Sequence, residues 1–154
     1  MPRRKKWEQG NVVEVELDDG SFSYGVVIEE PLVAFTEATF TERPEITTEL
    51  FGKVAFQLWV MNSAIGKNGW PVIGDVPLKE LSISEAMFYR YDIVSKKFYH
   101  YVDCTNDIPS TREACVGLEC AAVWRNDHVE DRLQAHKECG VCKWEESLRA
   151  ENKP

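Results

Sequence analysis

The stretch Lys53-Val54-Ala55-Phe56-Gln57-Leu58-Trp59-Val60-Met61 is the longest nearly unbroken apolar run in the chain, interrupted after Lys53 only by Gln57. Its length, its β-branched and aromatic content, and the flanking Gly52 and Asn62 predict a strand rather than a helix. Side chains of a strand alternate, so Val54, Phe56, Leu58 and Val60 face one way and Ala55, Gln57, Trp59 and Met61 the other. Both sides are largely apolar. That pattern predicts cover on both faces and puts the strand at the middle of one sheet that gathers the rest of the chain. Gln57 is then the one side chain that needs a polar partner inside.

Upstream, residues 11–17 alternate, with Val13, Val15 and Leu17 on one side and Glu14 and Glu16 on the other. Asp18-Asp19-Gly20 is a turn signal, because Asp and Gly tolerate the positive φ that a hairpin needs. Phe22, Tyr24, Val26 and Ile28 continue in phase, which predicts a first hairpin. Glu29-Glu30-Pro31 breaks it, Leu32–Phe35 reads as a short buried strand, and residues 36–50 read as a loop with one helical turn near 45–51.

Downstream, Trp70–Val76 reads as a strand that Pro71 marks as an edge or a strand start. Met87–Val94 and Lys97–Val102 predict a second, tyrosine-rich hairpin joined at Ser95-Lys96. Residues 103–110 read as a loop, Ser110–Val116 as a short helix stopped by Gly117, and Cys120–Trp124 as one more strand. Asn126–Glu138 is the one clear helix. Asp127 and Glu130 resemble a capping box, Lys137 lies in the last turn, Gly140 ends it, and Val129 and Leu133 form a thin apolar stripe. Lys143–Arg149 closes the chain, anchored by Trp144 and Leu148. The expected architecture is α+β, mainly β: a strongly twisted antiparallel sheet or open barrel with one C-terminal helix packed on it. Residues 1–9 are expected to be a flexible basic lead-in and residues 10–150 a single domain.

Composition narrows the function classes. The 154 residues are 44% hydrophobic and 29% charged, with an 11% aromatic share that argues against disorder. The formal charge is −8, but Arg3, Arg4, Lys5 and Lys6 concentrate four positive charges, leaving −12 on residues 7–154. An acidic body repels phosphate backbones, which disfavours direct nucleic-acid binding and suits a basic protein partner. No stretch approaches the ~20 apolar residues that cross a bilayer. Trp7-Glu8-Gln9-Gly10 follow the basic start where a secretory leader would need an apolar core, so a cytoplasmic location is expected. Five irregularly spaced cysteines fit a reducing compartment better than a disulfide framework.

Catalytic and metal signals are weak. Cys139-Gly140-Val141-Cys142 has the gap of a zinc knuckle, but Cys104, Cys115 and Cys120 lack the repeated spacing that would complete a tetrahedral set, so buried or idle thiols are the better reading. His128 and His136 are too far apart for a shared ligand face, and His100 lies among tyrosines. No nucleophile elbow, phosphate loop or zincin motif is present, so no catalytic residue, metal or cofactor is expected. The hairpin tyrosines read first as cross-strand packing. Recognition is expected at the periphery: the carboxylates Asp18, Asp19, Glu29, Glu30, Asp127, Glu130 and Asp131, with Tyr91 and Tyr99.

Three segments go beyond composition. KKWEQGNVVEVELDDGSFSYGVVIEEPLVAF (5–35), FQLWVMNSAIGKNGWPVIGDVPL (56–78) and ECAAVWRNDHVEDRLQAHK (119–137), the last followed by KWEESL (143–148), resemble the Immunity protein 26 family. The resemblance spans about Lys5 to Leu148. It implies a mostly β fold and a protein partner, since members of that family are associated with bacterial polymorphic toxin systems, encoded beside a toxin and expected to neutralise it. No catalytic motif comes with the family. The expected function is therefore an immunity protein that binds and blocks a cognate toxin without catalysis, a basic nuclease domain being one candidate. The alternative is a small β-barrel nucleic-acid-binding or regulatory interaction module.

Overall fold

Alternating apolar residues and the Asp18-Asp19-Gly20 turn build the first hairpin as expected. In a computed structural model that describes residues 6–101 and 107–154, strand β1 (Asn11–Glu16) pairs antiparallel with β2 (Phe22–Glu29), Val13 lying opposite Gly25 and Glu14 opposite Tyr24. Gly20 sits at φ +84°, left-handed backbone that glycine adopts without a Cβ penalty. The chain forms two compact units, one of residues up to Ser84 together with Val123–Gly140, the other of Glu85–Ala122 together with Val141–Pro154. Arg3, Arg4 and Lys5 of the basic lead-in, and Cys104 of the expected 103–110 loop, fall outside the described residues.

In the first unit β3 (Leu32–Thr36), β4 (Val54–Val60), β5 (Val72–Asp75) and β10 (Val123–Trp124) complete a six-stranded sheet of order β10-β4-β3-β2-β1-β5. Every pair is antiparallel except β10 with β4. β4 is therefore not the middle strand, which corrects the reading of the 53–61 run. It is second from one edge, and only the two-residue β10 lies beyond it. Phe56, Leu58 and Val60 are buried, whereas Ala55, Gln57 and Trp59 are half-buried, so one face is covered and the other only in part. Gln57 finds its partner outside the core, donating to the Ser84 carbonyl at 2.7 Å. β5 is the edge strand that Pro71 predicts.

β2 and β3 form the centre, and β2 concealed this by its small residues. A Cβ on Gly25 would lie 2.8 Å from Val33 Cγ1 and 3.1 Å from the Phe35 ring. The glycine is a gap that Phe35 fills. Phe35 in turn meets Phe56 (5.6 Å between ring centroids) and, edge-on, Trp70 (5.5 Å). This face lies under helix α2 (Asn126–Lys137), whose Val129 and Leu133 are buried as the thin stripe predicts and whose Arg132 guanidinium stacks 4.1 Å above the Phe56 ring. On the opposite face Val12, Tyr24, Val26 and Ala34 pack with Leu50, Phe51 and Val76, covered by turns at Thr48–Phe51 and Leu78–Glu80.

The capping box does not form. The helix begins one residue earlier than expected, so Asp127 lies within its first turn and accepts the neighbouring His128 N–H (3.0 Å). Glu130 turns instead to the indole N–H of buried Trp70 (3.2 Å), a donor that burial would otherwise leave unpaired. At the other end Cys139, at φ +56°, takes the left-handed position, and Gly140 N–H closes on the Ala135 carbonyl at 2.8 Å.

In the second unit β6 (Phe88–Asp92) and β7 (Lys97–Tyr101) form the expected hairpin within a sheet of order β8-β7-β6-β9. Asp107–Ser110, expected to belong to a loop, is strand β8. Its Pro109 is tolerated because β8 is an edge. The single strand expected over 120–124 divides into β9 (Glu119–Cys120), added parallel to β6, and β10, added parallel to β4. A tight turn, Ala122 N–H to the Cys120 carbonyl, separates them. Tyr89, Phe98, Cys115 and Ala150 form this unit's core. Helix α1 (Arg112–Cys115) is capped by Thr111, and α3 (Lys143–Ser147) lies near the chain end. Arg112 stacks on Phe98 and donates to the carbonyls of Ala150 (3.0 Å) and Lys153 (2.5 Å), fastening the last residues over the sheet.

Phe35→Ala should therefore cost about 3–5 kcal/mol in urea unfolding, and Trp59→Ala clearly less despite the larger side chain. Gly25→Val should cost about 1–3 kcal/mol by overpacking.

Candidate functional site

The carboxylates expected to meet a partner are partly gathered by the first turn and α2. Asp127, Glu130 and Asp131 lie three and four residues apart, which places them on one side of the helix. Docking of the 18–21 turn along α2 brings Asp18 to them. Burial, foremost, pushes the Glu130 carboxyl up, and repulsion from Asp127, Asp18 and Asp131 adds to it, against the Trp70 N–H that favours the charged form. Asp127 also pairs with Arg125 at 3.2 Å, on the exposed surface.

Asp19 has a different role. It accepts from Lys137 Nζ, from Ser21 N and Oγ (2.9 and 2.5 Å) and from Gln134 Nε2 (3.3 Å). These donors, Lys137 first, hold its carboxyl well below the usual aspartate range. Asp19 thus ties the hairpin turn to the last turn of α2, and its charge is compensated within the fold. Glu29 and Glu30 sit at the opposite end of β2, where Glu30 accepts from Asn62 Nδ2 (3.3 Å), so they form a separate patch.

The two tyrosines are not brought together. Strand register places Tyr91 beside Phe98 on the core face of the second unit's sheet, with its hydroxyl donating to the Pro154 carbonyl (2.5 Å). Tyr99 is on the other face, under the Arg90 guanidinium (4.4 Å), which also pairs with Asp107 at 2.5 Å. Tyr89 is fully buried and donates to the Leu148 carbonyl; burial pushes its hydroxyl far up. A row of exposed rings for stacking bases does not arise from these three.

One further carboxylate stands out by its burial. Glu14 is 7% exposed on the face otherwise made of Val12, Tyr24 and Val26. Tyr24 Oη donates to it at 3.1 Å, and Arg43 Nε reaches both of its oxygens at 3.1 and 3.0 Å while stacking on Phe22. Burial, aided by the Glu14 charge, pushes the Tyr24 hydroxyl up to about 12. Both oxygens are occupied, so the group holds the 37–47 connection down rather than offering an acid or base to a substrate. Sequence reading passed over Glu14 as one polar residue of an alternating strand, and over Trp70 and Lys137, because their partners are distant in the chain.

Burial raises the Cys115 and Cys120 thiols, the reverse of what activates a nucleophile. Among the described residues no group of three His, Cys, Asp or Glu side chains is arranged to hold a metal ion, and no helix is long and apolar enough to cross a membrane. The arrangement is equipped for charge-guided contact with another macromolecule.

A raised folded-state pKa at Glu130 means that its ionisation opposes folding as pH rises through the usual glutamate range and above. Glu130→Gln keeps an acceptor for Trp70, so it should raise Tm at neutral pH, by under about 1 kcal/mol in stability given solvent screening. The gain should shrink as pH falls and the wild-type carboxyl takes up its proton. Asp19→Asn should do the opposite, lowering Tm at neutral pH and converging on the parent only in strong acid. Thermal melts across the acid range check both.

Neither a curated protein nor a solved structure matches the chain. The family model described as Immunity protein 26 matches residues 8–100, which spans the first hairpin, the sheet from β1 to β5 and nearly all of the β6–β7 hairpin. The chain belongs to the Immunity protein 26 family.

Proposed function

We propose that this chain neutralises a cognate toxin by stoichiometric binding, without catalysis, in the cytoplasm of a bacterial cell. The observation that carries the reading is the convergence of Asp18, Asp127, Glu130 and Asp131, from two elements far apart in sequence, on a body whose charge is −12 outside the basic lead-in. Crowding like charges is unfavourable within the fold itself, as the raised Glu130 shows, and a basic partner relieves it. The partner this suits is a toxin with a positive surface. A nuclease cleft is the natural example, because such a cleft must hold phosphates. Glu29 and Glu30 supply a second acidic patch, and exposed aromatic surface at Tyr99 a rim contact. The separation of Tyr91 from Tyr99 and the burial of Tyr89 weigh against a nucleic-acid platform.

Mixing the purified chain with the toxin encoded by the neighbouring gene should give a complex stable through gel filtration and abolish toxicity on co-expression. Asp18→Asn with Asp131→Asn should leave Tm close to the parent and slow association about tenfold at low salt, the difference fading above about 0.5 M salt. No complex and no protection would remove the proposal.

A further inference from the structure

The connection of the second hairpin, residues 93–96, carries the two most exposed large apolar side chains among the described residues, Ile93 at 77% and Val94 at 94%. Such positions ordinarily hold Gly, Asn, Asp, Ser or Pro, which satisfy turn geometry. A β-branched aliphatic pair contributes nothing of that kind and leaves apolar surface in water. The backbone beneath is nonetheless held. Asp92 Oδ1 accepts from Val94 N (2.9 Å) and Ser95 N (3.2 Å), Lys96 N donates to the Asp92 carbonyl (2.7 Å), and Lys96 at φ +59° closes the turn into β7. The hydrogen bonds from Ser95 and Val94 hold the Asp92 carboxyl below the usual range, so its charge is absorbed by its own turn. Lys96 and Lys97 are exposed beside the apolar pair. The tip is thus a braced, apolar and locally basic projection on an acidic chain.

We propose that this tip is the hydrophobic anchor of the toxin complex, Ile93 and Val94 entering an apolar recess of the toxin while Lys96 and Lys97 meet acceptor groups at its rim. The inference rests on the toxin-binding reading above. The toxin is the occupant because the region matched by the family model contains the tip, whereas α2 lies outside it. A second copy docking tip to tip by two-fold symmetry sets lysines against lysines. An anionic membrane repels the chain's net charge of −8. Bracing lowers the ordering cost of binding, so burial of the pair is realised as affinity. The two surfaces then divide the work: the first unit's carboxylates act at long range on association, and the tip acts after contact on dissociation.

The test is a kinetic comparison, by surface plasmon resonance, of the full-length parent and Ile93→Ser/Val94→Ser against the purified toxin encoded by the neighbouring gene, at about 0.15 and 0.5 M salt. The expected result is a rise in Kd of ~100-fold, carried by the dissociation rate and equal at both salts, with Tm unchanged. Val94→Asn, a favourable turn residue, should give a smaller loss of the same kind and decides the matter if the double variant is destabilised. A Kd within about threefold of the parent, or a loss confined to association, overturns the anchor while leaving toxin binding intact. A parent chain that binds no toxin overturns the toxin reading and the anchor with it. Sedimentation of the parent, but not the double variant, with phosphatidylserine vesicles would assign the tip to a membrane and likewise overturn the proposal.

Discussion

Phe35 fills the gap that Gly25 leaves in β2, and much of the first unit depends on that contact. A larger residue at position 25 would meet Val33 and the Phe35 ring below ordinary contact distance, so the ring's seat and the small residue are mutually required. From this seat Phe35 reaches Phe56 on β4 and Trp70 in the segment before β5. Those rings are the floor on which α2 rests, through Arg132 over Phe56 and Glu130 on the Trp70 indole. The position of the helix, and hence of its carboxylates, follows from an aromatic contact in the sheet interior.

Charge in this molecule is sorted by what the fold has already compensated. Asp19 is held by Lys137, Ser21 and Gln134, and Glu14 by Tyr24 and Arg43, so both serve to fasten loops. Asp18, Asp127, Glu130 and Asp131 are instead close enough to repel one another, and the body's negative excess is concentrated there. Residues of one chemical type, some adjacent in sequence, thus acquire opposite roles. The difference is whether a distant cation or N–H group reaches them.

Much of the fold was legible in local patterns. The alternation around Asp18-Asp19-Gly20, the tyrosine-rich hairpin, the edge marked by Pro71 and the α2 stripe of Val129 and Leu133 all correspond to elements at those places. Two errors have a common source. The 53–61 run was placed at the centre because it is apolar on both sides, whereas the true centre, β2 and β3, contains Ser23 and Gly25, whose small size answers to Phe35. The capping box failed because Glu130 had a better partner sixty residues away in Trp70. Hydrophobicity records how much apolar surface a strand has, not how many neighbours it finds.

By itself the sequence determined element types, the acidic balance and family membership, since each is written in local alternation, composition or recurrent wording. Tertiary structure alone decided strand order, the division into two units, which carboxylates stand together and which are neutralised, and that Tyr91 and Tyr99 lie on opposite faces. The physical reason is range. Periodicity and turn chemistry act over a few residues, whereas charge compensation and aromatic packing join residues tens to more than a hundred positions apart, and only the folded chain brings those partners within reach.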